Sequence, residues 1–209
     1  MRTIKIVKGM PGTGKTYYCE TNSKFFLPEN IGKNTGMYCP KLRWLYDAVE
    51  GQGLRIYNHE KKIEIIRTWI EMWQEEQEFY IDNYEYFGDR KLLRLLMAAK
   101  GATGDSQITV ELVYLYTHPH NAWQAHREER YKEMGSFDEF LPWYAHTIKE
   151  HVKVVKTIRA FKKMTFVYRD KDDQYHEHDA DEHLLETLKH ASNPFSTGTP
   201  TGISEKLSD

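Results

Sequence analysis

The chain lacks most of the features that would place it in a specialised class. Its 209 residues include only two cysteines, Cys19 and Cys39. That is too few for a disulfide framework, and both read as ordinary buried thiols of a reducing compartment. No apolar run approaches the roughly 20 residues that a membrane-spanning helix needs. The N-terminus passes straight into a lysine-interrupted strand pattern, with no charged-then-apolar leader before it. Net charge is nearly absent as well, with 29 Lys and Arg against 31 Asp and Glu for a formal charge of −2. Such a balance excludes unspecific nucleic-acid binding by bulk positive charge, while leaving room for a local basic groove. No internal repeat is present. The expectation is a cytoplasmic protein with no membrane partner, long enough to fold around its own core.

What is present alternates between two periods. Thr3 to Lys8 is a β-branched, alternating strand that breaks at Gly9, and Lys15 to about Lys24 fits a helix. Pro28, Asn30, Gly32 and Gly36 mark a loop. Met37 to Cys39 reads as a brief strand, Leu42 to Val49 as a helix and Leu54 to Tyr57 as a short strand. In Lys61 to Gln77, Ile63, Ile66, Trp69, Ile70 and Trp73 recur at helical spacing. Glu78 to Asp82 is an apolar strand that ends in a carboxylate. Asp89 to Lys100 is helical, closed by Gly101 and Gly104. Ile108 to Tyr116 has the near-continuous apolar character of a central parallel strand.

Two helical stretches follow, Asn121 to Met134 and Phe137 to Phe161, with Pro142 expected in a first helical turn. Met164 to Arg169 and Gln174 to His178 flank a polar turn and form a hairpin. A last helix runs from Asp181 to about His190. The alternation of strands and helices predicts an α/β fold with a mainly parallel sheet. Residues 1–190 are expected to form one domain, and 191–209, rich in Ser, Thr, Gly and Pro, a mobile tail.

Gly9-Met10-Pro11-Gly12-Thr13-Gly14-Lys15-Thr16 matches the Walker A pattern at every constrained position, directly after a strand and at the start of a helix. Gly9, Gly12 and Gly14 let the backbone turn tightly, so that successive N–H groups and the helix N-terminus form an anion cradle with Thr13 inside it. Lys15 is placed to reach the β- and γ-phosphates of ATP, and the Thr16 hydroxyl to ligate Mg²⁺. Asp82, at the carboxyl end of a parallel strand, is a candidate for holding a Mg²⁺-bound water or orienting a substrate hydroxyl. Asn83 follows it, where a motor ATPase would carry a glutamate to polarise water. Arg127 and Arg130 are i, i+3 neighbours on one helix face. They are candidates for a lid over residues 118–136 that neutralises the transferring phosphoryl group.

With these residues in view, the chain resembles P-loop kinases of the zeta-toxin and polynucleotide-kinase type. The resemblance spans roughly residues 2–178. It rests on Gly9 to Thr16, on Phe79-Tyr80-Ile81-Asp82-Asn83, on Val110 to Leu115 with the arginine-bearing helix after it, and on the late hairpin. It implies a P-loop NTPase fold, a three-layer α/β/α sandwich with a helical lid. It implies ATP and Mg²⁺ as cofactors, Lys15 and Thr16 as phosphate and Mg²⁺ contacts, and Arg127 and Arg130 as lid arginines. The acceptor it implies is a hydroxyl of a nucleotide sugar or nucleotide, or of a nucleic-acid terminus or modified base.

One departure matters. Where the family carries an aspartate as general base after its second strand, this chain reads Tyr38-Cys39-Pro40-Lys41-Leu42-Arg43. The base then falls to Asp82 or Asp47, or the acceptor differs. Lys41 and Arg43 suit an anionic acceptor. Gly-Met-Pro-Gly-Thr-Gly-Lys-Thr-Tyr also resembles the start of zonula-occludens-toxin-like phage ATPases, so a P-loop ATPase module of phage assembly or transport is the alternative.

Three lesser features complete the sequence. Lys149, Lys153, Lys156, Arg159 and Lys163 recur at helical spacing and read either as a basic stripe for a nucleotide or nucleic acid or as a solvated face. Tyr84, with Tyr86 and Phe87, lies just beyond Asp82 and is a candidate for stacking on a substrate base or ring. His176, His178, Asp179 and Asp181 crowd together without tetrahedral metal spacing and read as a polar turn.

Overall fold

The computed structural model describes residues 2–23, 26–28, 58–72, 74–82, 89–104, 108–126, 132–158 and 161–191. Six strands form one sheet: β1 (Thr3–Lys8), β2 (Leu27–Pro28), β3 (Glu78–Asp82), β4 (Thr109–Thr117), β5 (Met164–Arg169) and β6 (Tyr175–His178), in the order β2-β3-β1-β4-β5-β6. The first five are parallel and β6 returns antiparallel to β5. The helices are α1 (Lys15–Asn22), α2 (His59–Met72), α3 (Asp89–Thr103), α4 (Pro119–His126), α5 (Phe137–Thr157) and α6 (Glu182–Ala191).

Alternation within the strands builds the layers. Ile4, Ile6, Phe79, Ile81 and Leu112 face Ile66 and Trp69 of α2 and Leu92 and Leu96 of α3. Further along the same face, Tyr114, Tyr116 and Phe166 meet Phe140 and Tyr144 of α5 and Leu184 of α6. Residues of opposite parity, Val7, Tyr80, Val113 and Leu115, meet Tyr18 and Cys19 of α1 on the other face. The result is the three-layer α/β/α arrangement with a mainly parallel sheet that the sequence predicts. The order reverses around β1, with β3 on one side and β4 on the other, so the crevice beyond the carboxyl end of β1 lies at a topological switch point.

Several boundaries differ from the sequence expectation. Leu27–Pro28, expected in a loop, is an edge strand paired to Ile81 and Asp82. A proline is tolerated there because an edge residue need not donate to the ladder. Helix α2 stops at Met72 rather than Gln77, and the Gln77 carbonyl instead accepts from Thr3 N at 2.8 Å. Gly101 does not end α3. An added Cβ there would meet Ile63 Cδ1 at 2.9 Å, so the glycine lets α2 approach, and the helix ends at Gly104 with φ +55°. Pro142 lies inside α5, not in its first turn. Its missing N–H removes one bond of the ladder on an exposed side. Ser136 caps that helix, accepting from Glu139 N at 3.3 Å.

The basic stripe is partly neutralised, since Lys156 pairs with Asp181 at 2.7 Å and Lys163 with Asp179 at 3.5 Å. Arg159 lies outside the described residues. Among the described residues no group of three or more His, Cys, Asp or Glu side chains is placed to hold a metal ion, and no helix is long and apolar enough to cross a membrane. The strands and helix expected at 37–57, and the tail from 192, lie outside the described residues.

The late histidines form a different structure. His178 of β6 stacks on His183 of α6 with centroids 4.4 Å apart and planes 9° from parallel. His183 Nδ1 shares a 2.8 Å hydrogen bond with Tyr116 Oη, and the Tyr168 ring lies 4.9 Å from its own. Burial and then His178 push the His183 pKa below its ordinary 6.5, with His176 adding and Glu186 opposing. As pH falls below 6.5 the unfolded chain binds this proton first, so the stability present above that pH is lost toward the folded pKa. The melting temperature is therefore expected to fall from pH 7 to 5, and His183→Gln to flatten the fall. His118, displaced the same way by burial and His120, keeps part of the slope. An unchanged slope in the variant, read by thermal melting across pH, rejects the assignment.

Candidate active site

The site begins where β1 ends. An added Cβ on Gly9 would lie 2.2 Å from Leu115 O, so the loop leaves the sheet pressed against the backbone of β4 and only glycine fits. Gly12 and Gly14 take left-handed conformations with φ 82° and 87°. The chain then curls around one carbonyl. Met10 O accepts from Thr13 Oγ1 at 2.8 Å, from Lys15 Nζ at 3.1 Å and from Thr13 N at 3.3 Å. Gly14 is the N-cap of α1 and no side chain caps it. The first N–H groups of α1 thus point out of the helix into the loop, where an anion can take them.

Asp82 comes to this loop through the register of the sheet, in which it pairs with Val7. Thr16 Oγ1 donates to Asp82 Oδ2 at 2.6 Å, while Asp82 Oδ1 is buried with no hydrogen-bond partner. Burial raises the carboxyl pKa above its ordinary value, against the opposing Lys15 charge and the Thr16 hydrogen bond. A hydroxyl and a carboxylate with one oxygen unspent form a donor set suited to a hard, hydrated divalent cation. Cys19, behind them, has its thiol pKa pushed up by burial and then by Asp82, which leaves it inert.

The sequence reading missed Arg169. It stands at the carboxyl end of β5, and an added Cβ on Gly14 would meet its Cδ and Nη1 at 2.9 Å each. Its Nη2 pairs with Asp173 Oδ1 at 2.5 Å, and its Nε is buried without a hydrogen bond. Tyr175 Oη donates to Gly14 O at 3.3 Å, so the β5–β6 hairpin is fastened over the loop. The available signal was the one that singled out Asp82, a charged residue at the carboxyl end of a parallel strand.

Gly9, Gly12, Thr13, Gly14, Lys15, Thr16 and Asp82 are therefore brought together. Lys41, Arg43, Asp47, Tyr84, Tyr86, Phe87, Arg127 and Arg130 lie outside the described residues. Helix α4, which leads to the two arginines, starts two residues after β4 at the same end of the sheet as the loop.

No family model and no curated protein matches the chain. Among solved structures, it aligns with one from the PezAT chromosomal toxin–antitoxin system of Streptococcus pneumoniae, at 11% identity and a TM-score of 0.46, over 91% of this chain and 78% of that one. An AvrRxo1-ORF1:AvrRxo1-ORF2 structure with sulphate ions aligns at 11% identity and a TM-score of 0.40, over 99% and 68%. Deoxyadenosine kinase from M. mycoides, with dCMP and dCDP as products, aligns at 10% identity and a TM-score of 0.33, over 89% and 95%. All three are weak likenesses of overall shape.

Proposed function

We propose that the protein is an ATP-dependent kinase that transfers the γ-phosphoryl group to a hydroxyl of a nucleotide, nucleotide sugar or nucleic acid. The catalytic unit spans residues 1–190, with a lid at 118–136. The observation that carries this reading is the 2.6 Å Thr16–Asp82 contact with an unspent carboxylate oxygen, beside the buried Lys15. Thr16 and Asp82 would hold a Mg²⁺ ion, which would supply charge neutralisation to the triphosphate. Lys15 turns from Met10 O onto those phosphates, and the loop amides and Arg169 add positive potential. In the transfer, the bond from the γ-phosphorus to the β–γ bridging oxygen breaks, and a bond from that phosphorus to the acceptor oxygen forms. ADP leaves and the hydroxyl proton passes to solvent.

Engagement with Thr16 favours the cation over the acceptor proton as the role of Asp82. A loose transition state needs little help from a base, which makes the missing carboxylate after Tyr38 tolerable. Arg127 and Arg130 close over the γ-phosphoryl group in this reading.

The test is incubation with γ-labelled ATP and pools of nucleotides, nucleotide sugars and DNA. Label is expected on an acceptor. Label found only as free phosphate rejects the kinase and favours the ATPase. Arg127→Ala and Arg130→Ala are each expected to lower transfer about a hundredfold with ATP binding retained, and full turnover in both variants removes the lid.

A further inference from the structure

Arg169 reaches the phosphate loop from the side opposite to the Thr16–Asp82 pair. The sheet places β1 between β3 and β4, with β5 beyond β4, so Asp82 at the end of β3 and Arg169 at the end of β5 stand three strand positions apart, roughly 14 Å. Each nevertheless touches the loop. Asp82 does so at Thr16, through the 2.6 Å hydrogen bond. Arg169 does so at Gly14, where its Cδ, Nη1 and Nε lie 2.9, 2.9 and 3.1 Å from the position of an added Cβ. Glycine at this position gives the guanidinium its place against the N-cap of α1.

That guanidinium is held with most of its donors unspent. Thr117 Oγ1 donates to the Arg169 carbonyl at 2.7 Å, which ties the carboxyl ends of β4 and β5 together. Asp173 takes only Nη2, and does so from a fixed turn in which Asp170 Oδ1 accepts from Asp172 N at 2.8 Å and from Gln174 N at 2.9 Å. Among the described residues Asp173 is the only hydrogen-bonding partner of the side chain, and Nε–H is buried with none. A cationic N–H shut away from water without an acceptor is costly. The ion pair offsets little of that cost, because the Asp173 side chain is 57% exposed. Such an arrangement suits a group kept ready for an anion.

We propose that Arg169 is a direct ligand of the α-phosphate of the bound nucleotide. A polyphosphate lying along the loop has its β- and γ-phosphates toward the β3 side when Thr16 and Asp82 engage the cation. Its other end then faces β5, where the α-phosphate meets the guanidinium. A small rotation about the Asp173 contact turns the unspent Nε–H onto a phosphate oxygen, and the charge-assisted bond adds to those of the loop amides. This inference rests on the nucleotide-binding part of the kinase reading and is independent of the acceptor.

The experiment is calorimetric titration of the full chain, with Mg²⁺ present, by ADP and by a non-hydrolysable ATP analogue over a range of salt concentrations. Both probes carry the α-phosphate, so Arg169→Gln and Arg169→Met are each expected to weaken both by a common factor of about tenfold or more, with a shallower dependence of affinity on salt. Melting curves identify folded variants, and either one suffices. Tyr175→Phe removes the hydroxyl that fastens the hairpin to Gly14 but no charge, and it is expected to keep the wild-type salt dependence. Unchanged affinity in a folded Arg169 variant overturns the proposal. So does a loss confined to the ATP analogue, which would put the guanidinium at the γ-phosphate. A loss matched by Tyr175→Phe, with the salt dependence of the Arg169 variants unaltered, also overturns it and makes Arg169 a fastener of the hairpin. A wild type that binds both probes yet labels no acceptor ends the kinase reading alone, whereas one that binds neither ends both.

Discussion

Lys15→Met is expected to lower phosphoryl transfer by about 10²–10³-fold, the usual cost of losing a charged group aimed at a developing phosphoryl charge. Methionine keeps the length of the stem in a site that leaves Lys15 only 7% exposed, so the substitution removes charge with little loss of packing. A second effect follows from what Lys15 does in the folded chain. Its charge is the largest influence holding the Asp82 carboxyl pKa down against burial. Without it, an ionised carboxylate is left buried with a single hydrogen bond from Thr16, a costly arrangement. The variant is therefore expected to melt below the wild type, and further below it at pH 8 than at pH 5, where protonation relieves the charge. Initial rates with γ-labelled ATP and melting curves at the two pH values check both parts. Transfer above a tenth of wild type removes Lys15 from the phosphates.

The loop and Asp82 were legible in the sequence because local constraints fix them. Gly9 is required by the 2.2 Å approach to Leu115 O, and Gly12 and Gly14 by positive φ, so the motif records its own backbone. Asp82 was legible because an apolar strand ending in a carboxylate has one end at the ligand crevice. Leu27–Pro28 was not legible, since two residues carry no period and their pairing is imposed by β3. Gly101 was misread as a stop because its reason, contact with Ile63, lies on another helix.

Arg169 shares that difficulty. It acquires meaning only when the hairpin folds back to place Tyr175 on Gly14.

Asp82→Asn separates the proposed catalytic use of this carboxylate from its structural cost. The amide oxygen can still accept from Thr16, so the 2.6 Å contact has a replacement, but the charge facing the cation is gone. Transfer is expected to fall about 10²–10³-fold, and the Mg²⁺ concentration for half-maximal rate to rise by about tenfold or more. Stability in the absence of Mg²⁺ and nucleotide should move the other way. Burial raises the Asp82 pKa despite Lys15 and Thr16, so at neutral pH the folded state bears a net cost for this charge that asparagine does not carry. The melting temperature of the variant without ligands is therefore expected to exceed that of the wild type.

Coupling to Lys15 follows from the same physics. Once Asp82 is neutral, Lys15→Met no longer strands a buried charge, so the double variant should melt above Lys15→Met alone and depart from additivity. A ligand-free Asp82→Asn that melts below the wild type, with an unchanged Mg²⁺ requirement, would make Asp82 a structural carboxylate that fastens β3 to α1 through Thr16. The cation would then have to be held elsewhere around the loop. A rise in melting temperature coupled to loss of transfer has the opposite meaning, that stability is surrendered at Asp82 to keep a cation site open.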